Sequence, residues 1–144
     1  MSMTDAERPR KQKMSDLIEE LKNEHKIILD ILNEVKGISS RTGQQKLLSA
    51  RDLLISHMNK EDEQYYPAFR KAAENNHDLK IMLDYFIQDM EVVSEKAMLV
   101  FNKYGQGGDE SDFAGDVKIL YMTLKDRIHT EEDILFKKFN APVN

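Results

Sequence analysis

The sequence predicts an all-α protein, an up-down-up-down antiparallel four-helix bundle. Glycine and proline are scarce, with 6 and 3 occurrences in 144 residues, which disfavours a turn-rich β fold. Four stretches repeat apolar side chains at alternating steps of three and four residues, a spacing typical of amphipathic helices. The breaks between these stretches are short, so consecutive helices are expected to lie antiparallel within a single domain.

The first predicted helix runs from about Asp16 to Lys36. One position of its buried seam is His25, and the other seam residues are apolar: Ile18, Leu21, Ile28, Leu32 and Val35. Residues 1–14 are charged and polar without an apolar core, and we expect a mobile tail there. The bundle domain is therefore predicted over residues 15–140.

The second predicted helix begins near Gln44, after a loop that starts at Gly37. His57 and Glu61 occupy two positions of its seam, and the remaining positions are hydrophobic: Leu47, Ala50, Leu54, Tyr65, Ala68 and Ala72. The middle of this helix therefore places polar groups in an otherwise apolar stripe.

The third predicted helix follows a break at residues 74–78, and its seam contains no histidine or carboxylate. That seam is Leu79, Leu83, Phe86, Met90, Val93, Ala97, Val100 and Tyr104. Glycines within residues 105–108 end the helix, and Asp109 or Ser111 can cap a fourth one. The seam of the fourth helix is Phe113, Val117, Leu120, Leu124, Ile128, Glu131 and Leu135.

The composition excludes several classes of function. There is no cysteine, so any metal must be bound by histidine and carboxylate. The net charge of −5 gives no basic excess, and neither nucleic acid nor an acidic membrane surface is an expected partner. No apolar run approaches the ~18 residues of a membrane-spanning helix, and no signal-peptide pattern is present, which predicts a cytoplasmic protein. No Ser/His/Asp or glycine-rich phosphate motif supports hydrolytic catalysis.

The polar residues in the seams suggest a metal site. Burying an imidazole or a carboxylate costs several kcal/mol unless the group is paired or bound to a metal. His57 and Glu61 are four residues apart, so they share one helix face and can reach one metal centre. The alternative for this pair is a surface salt bridge, and for His25 it is a hydrogen-bonded core histidine.

The segment 57–67 resembles the second-helix signature of hemerythrin-like (HHE cation-binding) proteins. It has a histidine, a glutamate four residues later, an acidic run and an aromatic–proline step. The resemblance covers about residues 15 to 140, with His25 matching the first-helix ligand of the family and residues 127–136 matching its last-helix signature. It implies a hemerythrin-like bundle whose ligands hold an oxo- or hydroxo-bridged iron pair that binds oxygen or senses oxygen, iron or redox state.

The chain departs from the family pattern in its second half. Arg127 stands where the family places a histidine, which leaves Glu131 as the matching carboxylate and allows Arg127 to neutralise Glu61 or Glu131. Aligned on the histidine instead, the motif gives His129, with Asp133 four residues later. Phe86 and Met90 occupy the places of histidines on the third helix, and His77 could substitute from the preceding loop or be part of an ordinary helix start. The candidate metal ligands are His25, His57, Glu61, Glu131, His77 and His129.

These features predict a non-haem iron protein, mononuclear or dinuclear, that acts as a sensor or carrier. The expected small-molecule partner is a gas such as O2 or NO, because no pocket for an organic substrate is evident from the sequence. An oxidase or iron-repair enzyme on the same scaffold is disfavoured by the small ligand set. The alternative from another class is a metal-free or degenerate bundle that acts as a protein-interaction module, in which a buried His–Glu–Arg network specifies the fold.

A second apolar stripe on the third helix predicts a homodimer. It consists of Ile81, Tyr85, Val92 and Leu99, more than a right angle from the seam. Ile27 and Ile31 on the first helix are displaced from their seam in the same way. Such surplus apolar surface is unusual on a monomer, so we expect a two-fold dimer through helix three, with or without helix one. The alternative is that the N-terminal tail or neighbouring helices cover these residues.

Overall fold

The computed structural model describes residues 7–35, 41–108 and 110–139. They form six α-helices and two short π-helical segments, which we call the first and the second π segment. In chain order these elements are α1 (Glu7–Val35), α2 (Arg41–Lys60), the first π segment (Glu61–Tyr65), α3 (Tyr66–Ala72), α4 (His77–Gly105), α5 (Glu110–Thr130), the second π segment (Glu131–Leu135) and α6 (Phe136–Phe139).

The predicted all-α four-helix bundle is confirmed. The residues that flank each π segment keep right-handed helical dihedral angles, so α2 continues into α3, and α5 into α6, as one long helix each. Each of the four long helices packs against its sequence neighbours, and the last packs against the first, which closes the bundle. No strand occurs in the described ranges. Among the described helices, none combines the length and the apolar character needed to cross a membrane.

The apolar core is divided into two clusters with a polar layer between them. One cluster includes Ile28 and Leu54, and the other includes Leu21 and Tyr65. His25 lies between Leu21 and Ile28 on α1, so this histidine stands where one cluster gives way to the other. All the seam positions predicted for the first helix are buried. The regular three- and four-residue spacing therefore identified the inner face of α1 correctly.

The helix boundaries differ from the predicted ones at several points. α1 begins at Glu7 and not near Asp16, so the predicted tail at 1–14 overlaps its first turns, and residues 1–6 lie outside the described residues. α4 begins at His77, where the side-chain oxygen of Asn76 accepts a hydrogen bond from the backbone N–H of Leu79 (3.1 Å). Ser111 lies inside α5 and cannot cap it, and the other predicted cap, Asp109, falls outside the described residues.

The π segments change which residues face the core beyond them. The predicted seam placed Ala68 and Ala72 inside, and this was wrong, because the structure buries Phe69 and Ala73 instead. The backbone N–H of Tyr66 bonds to the carbonyl of Glu61, five residues earlier, so the turn holds one extra residue and the seam shifts by one. The same backbone bond links Phe136 to Glu131 in the second π segment.

Proline alone does not explain these segments. Pro67 follows the first π segment, and its missing N–H weakens the helical hydrogen bonding there. Lys137 occupies the corresponding place after the second π segment, where the same turn forms without a proline. What the two segments share is a buried glutamate at the first position and two bulky buried residues at the end. The extra residue lets both bulky side chains turn inward.

Candidate metal centre

Four charged or polar side chains converge in the layer between the two apolar clusters. His25 comes from α1, His57 from α2, Glu61 from the first π segment and Glu131 from the second. They are the buried polar side chains of the described core, and each is 3% exposed or less. One ligand atom from each lies within 4.8 Å of the others. The structure therefore brings together four of the six candidate ligands.

The inner contacts pair each histidine with one glutamate. Nε2 of His25 lies 3.0 Å from Oε1 of Glu131, and Nε2 of His57 lies 3.1 Å from Oε1 of Glu61. The two imidazole rings are tilted against each other with centroids 4.5 Å apart. Both rings thus direct the same nitrogen, and both glutamates the same oxygen, toward one point between the helices.

The outer nitrogens of the histidines are held by a second pair of carboxylates. Nδ1 of His25 lies 2.7 Å from Oε2 of Glu132, and Nδ1 of His57 lies 2.8 Å from Oε1 of Glu24. Such a contact fixes the tautomer and orientation of a metal-binding histidine. Sequence reasoning missed both residues. The available signal was an acidic residue directly beside a candidate ligand, since Glu24 precedes His25 and Glu132 follows Glu131.

Tyr66 is a third residue that sequence reasoning did not place at the centre. Its hydroxyl donates toward Oε2 of Glu131 (3.1 Å) and lies 3.5 Å from Oε2 of Glu61. The extra residue of the first π segment turns this side chain inward, next to the already buried Tyr65. The ring of Phe136 stacks on the imidazole of His25 with centroids 5.9 Å apart.

Burial and the close contacts shift the pKa values of all four central side chains. Burial and the nearby Glu131 raise the pKa of Glu61 well above its ordinary value. Burial acts on Glu131 in the same direction, but hydrogen bonds with Glu61 and His25 outweigh it and lower the pKa of Glu131. For His25, hydrogen bonds to Glu131 and Glu132 outweigh burial and raise its pKa. Burial and the neighbouring His25 lower the pKa of His57. A metal cation between these side chains would favour the deprotonated form of each of them.

Arg127 does not neutralise the central carboxylates. Its guanidinium pairs with Asp89 on α4, donates to the hydroxyl of Thr130 (3.1 Å) and lies over the ring of Phe86, 5.6 Å from the centroid. The pairing considered from the sequence, with Glu61 or Glu131, is therefore not the arrangement in the structure. The long side chain of Arg127 points outward, where the carboxylate of Asp89 on the neighbouring helix neutralises its charge.

The remaining candidates lie outside the cluster. His77 is exposed at the first residue of α4, and His129 and Asp133 are exposed on the last long helix. Phe86 is buried and Met90 half-buried, and both border the centre without offering an oxygen or nitrogen ligand.

A cavity of about 20 Å³ adjoins the four side chains. This is space for about one water-sized molecule. Apart from the cluster itself and Arg127, the walls of the cavity are apolar: Ile28, Leu54, Phe86, Met90, Leu124 and Ile128.

The donor set suits a first-row transition metal. Two imidazole nitrogens and two carboxylate oxygens are ligands that iron, manganese and zinc accept. The histidines are also oriented by outer carboxylates, as metal ligands commonly are.

The family model for the hemerythrin HHE cation binding domain matches residues 16–139. No curated protein and no solved structure shows a significant match to the chain.

Proposed function

The chain belongs to the hemerythrin HHE cation-binding family, and from that premise we propose that it binds non-haem iron between His25, His57, Glu61 and Glu131. The observation that carries the proposal is the convergence of these four buried ligand atoms within 4.8 Å. Removing so many ionisable groups from water is costly unless they share a counter-charge, and a divalent cation supplies it. Iron accepts imidazole and carboxylate ligands, and it is also the metal that the family resemblance implies.

We infer that the iron centre serves as a sensor or carrier of a small gas, O2 or NO. The cavity beside the ligands has about 20 Å³, which excludes an organic substrate but admits a molecule of diatomic size. The part of its wall outside the cluster and Arg127 is apolar, which favours an uncharged, weakly hydrated guest. The cytoplasmic location stays a prediction from the sequence.

Exposure of iron-loaded protein to each gas tests this role. Metal-free protein is loaded with Fe(II) under anaerobic conditions, desalted, and mixed with NO or O2 while the absorption spectrum is recorded. We expect a change of spectrum with at least one gas in the parent protein and none in His57→Ala treated identically. An iron-loaded parent whose spectrum neither gas changes would contradict the sensor or carrier role.

We propose in addition that the protein forms a homodimer through α4. The stripe predicted on this helix is exposed, with Tyr85 at 72%, Leu99 at 70%, Val92 at 50% and Ile81 at 43%. An apolar row of this kind is typical of an interface between copies of a chain. The interaction-module alternative would use the same surface for a different protein.

Light scattering distinguishes these possibilities. We expect a dimer at micromolar concentration for the parent and a monomer for Val92→Glu, because a charge at the centre of the stripe cannot be buried unpaired. Lys71→Glu, at an exposed position of α3 outside the stripe, is the control and should remain dimeric. A parent protein that is already monomeric removes the dimer proposal.

A further inference from the structure

Two parts of the chain repeat one local arrangement. His57 and Arg127 each stand four residues before a buried glutamate, and each of these glutamates begins a π segment. The π segments turn the pairs Tyr65–Tyr66 and Leu135–Phe136 inward. The backbone conformation is the same around both π segments. Equivalent side chains before the two glutamates would therefore create two equivalent sets of metal ligands.

The side chains are not equivalent. In the first part, Nε2 of His57 faces Oε1 of Glu61 at 3.1 Å. In the second part, Arg127 turns away to Asp89 and covers the ring of Phe86. A guanidinium has no acceptor or metal-binding lone pair, and a phenyl ring offers none either. The second part therefore contributes a single donor, Glu131.

That donor is directed to the first set of ligands. Oε1 of Glu131 lies 3.0 Å from Nε2 of His25. The four ligand atoms lie within 4.8 Å of one another, a little more than the ~4.2 Å that separates opposite donors of one ion at metal–ligand distances of ~2.1 Å. A small inward movement of these side chains would therefore bring all four atoms onto one ion.

The second oxygens of the carboxylates are engaged elsewhere. A carboxylate that bridges two metals uses both of its oxygens. Here Oε2 of Glu131 accepts a hydrogen bond from the Tyr66 hydroxyl at 3.1 Å, and Oε2 of Glu61 lies 3.5 Å from the same hydroxyl. Apart from the four ligands, the space beside them, about 20 Å³, is lined by apolar side chains and by Arg127, whose guanidinium cannot bind a cation, so it provides no ligand for a second ion.

We propose that the centre holds one metal ion per chain, and that Phe86 and Arg127 occupy the places of the second set of ligands. This inference rests on the proposed function, since it concerns the number of ions in the same cluster. It differs from the bridged iron pair that the family resemblance implies. The cavity of about 20 Å³ adjoins the same four ligands, so a small molecule there would lie beside a single bound ion.

Counting metal ions in the parent protein and in a rebuilt variant tests the inference. Metal-free protein is titrated anaerobically with Fe(II), desalted, and assayed for iron and protein. We expect one iron per chain in the parent. The double variant Phe86→His/Arg127→His, which returns two imidazoles beside Glu131, should bind two. Its matched control, Phe86→Leu/Arg127→Leu, changes the same positions without adding ligands and should remain at one.

The outcomes separate this inference from the proposed function. No iron in the parent would overturn both, whereas two irons per chain would overturn only the single-ion inference. A double variant that folds, by circular dichroism, and still binds one iron would contradict the role given to Phe86 and Arg127. Should that variant fail to fold, the iron count of the parent decides on its own.

Discussion

The two π segments have the same backbone and different chemistry. In both, a buried glutamate begins the segment, and the extra residue turns two bulky side chains into the core. In the first, His57 four residues earlier meets its own glutamate, whereas in the second Arg127 turns to Asp89. Packing and hydrogen bonding thus stabilise the same π-helical backbone in both places. Whether a metal ligand is present depends on the side chain one turn before the glutamate.

Because of this difference, the glutamate of the second π segment needs a histidine from another helix as its partner. Glu61 has a histidine partner on its own helix, but Glu131 relies on His25 from α1. Loss of a ligand from the first part should therefore affect the whole centre, and loss of Arg127 should affect it little.

The largest expected effect is that of His57→Ala. This change removes one of four donors and the partner of Glu61, and we expect metal affinity to fall by more than about 100-fold, beyond the loss typical of an outer partner. Arg127→Ala should retain metal. The measurement is iron bound after anaerobic loading and desalting, and His129→Ala, at an exposed site, is the control. Equal losses from His57→Ala and His129→Ala would show that the wrong residues were assigned to the centre.

An intermediate effect is expected from the outer carboxylates. Glu24→Gln and Glu132→Gln each remove the charge that orients one histidine, and each should weaken metal binding by about 10–100-fold. Glu24 should matter more, because its side chain is 14% exposed against 30% for Glu132. Fe(II) titration against a competing chelator measures the change. Glu20→Gln removes an exposed carboxylate that contacts only Lys60 among the ion pairs described, and it should leave affinity unaltered.

The smallest effect on metal binding is expected from Tyr66→Phe. Tyr66 touches the carboxylate oxygens that face away from the histidines, so the number of bound ions should not change. The metal-free protein should lose about 1.5–3 kcal/mol of unfolding free energy, the range for a hydrogen bond to a charged group. Denaturant unfolding of metal-free protein provides the measurement. A changed iron count in this variant would mean that the hydroxyl belongs to the metal ligands.

Periodicity alone predicted the bundle and brought His25, His57, Glu61 and Glu131 to one layer. It failed after Tyr65, because a 3.6-residue repeat cannot reveal one inserted residue, and Ala68 and Ala72 were consequently assigned to the core in place of Phe69 and Ala73. Such an insertion depends on the fit of side chains from other helices, which a single helix does not encode.

Side-chain direction was the other information that the sequence did not contain. The outward course of Arg127 depends on Asp89, a residue of a different helix. The role of Glu24 depends on His57 of the neighbouring helix, although Glu24 adjoins His25 in sequence. Contacts across helices of this kind follow from the tertiary arrangement and from no local pattern.

Iron analysis of the purified protein tests the central claim most directly. If the four buried side chains are metal ligands, protein purified in air contains iron, and metal-free protein takes up Fe(II) anaerobically and retains it through desalting. The account predicts one iron per chain. A colourless preparation that remains metal-free after anaerobic loading with Fe(II) would contradict it.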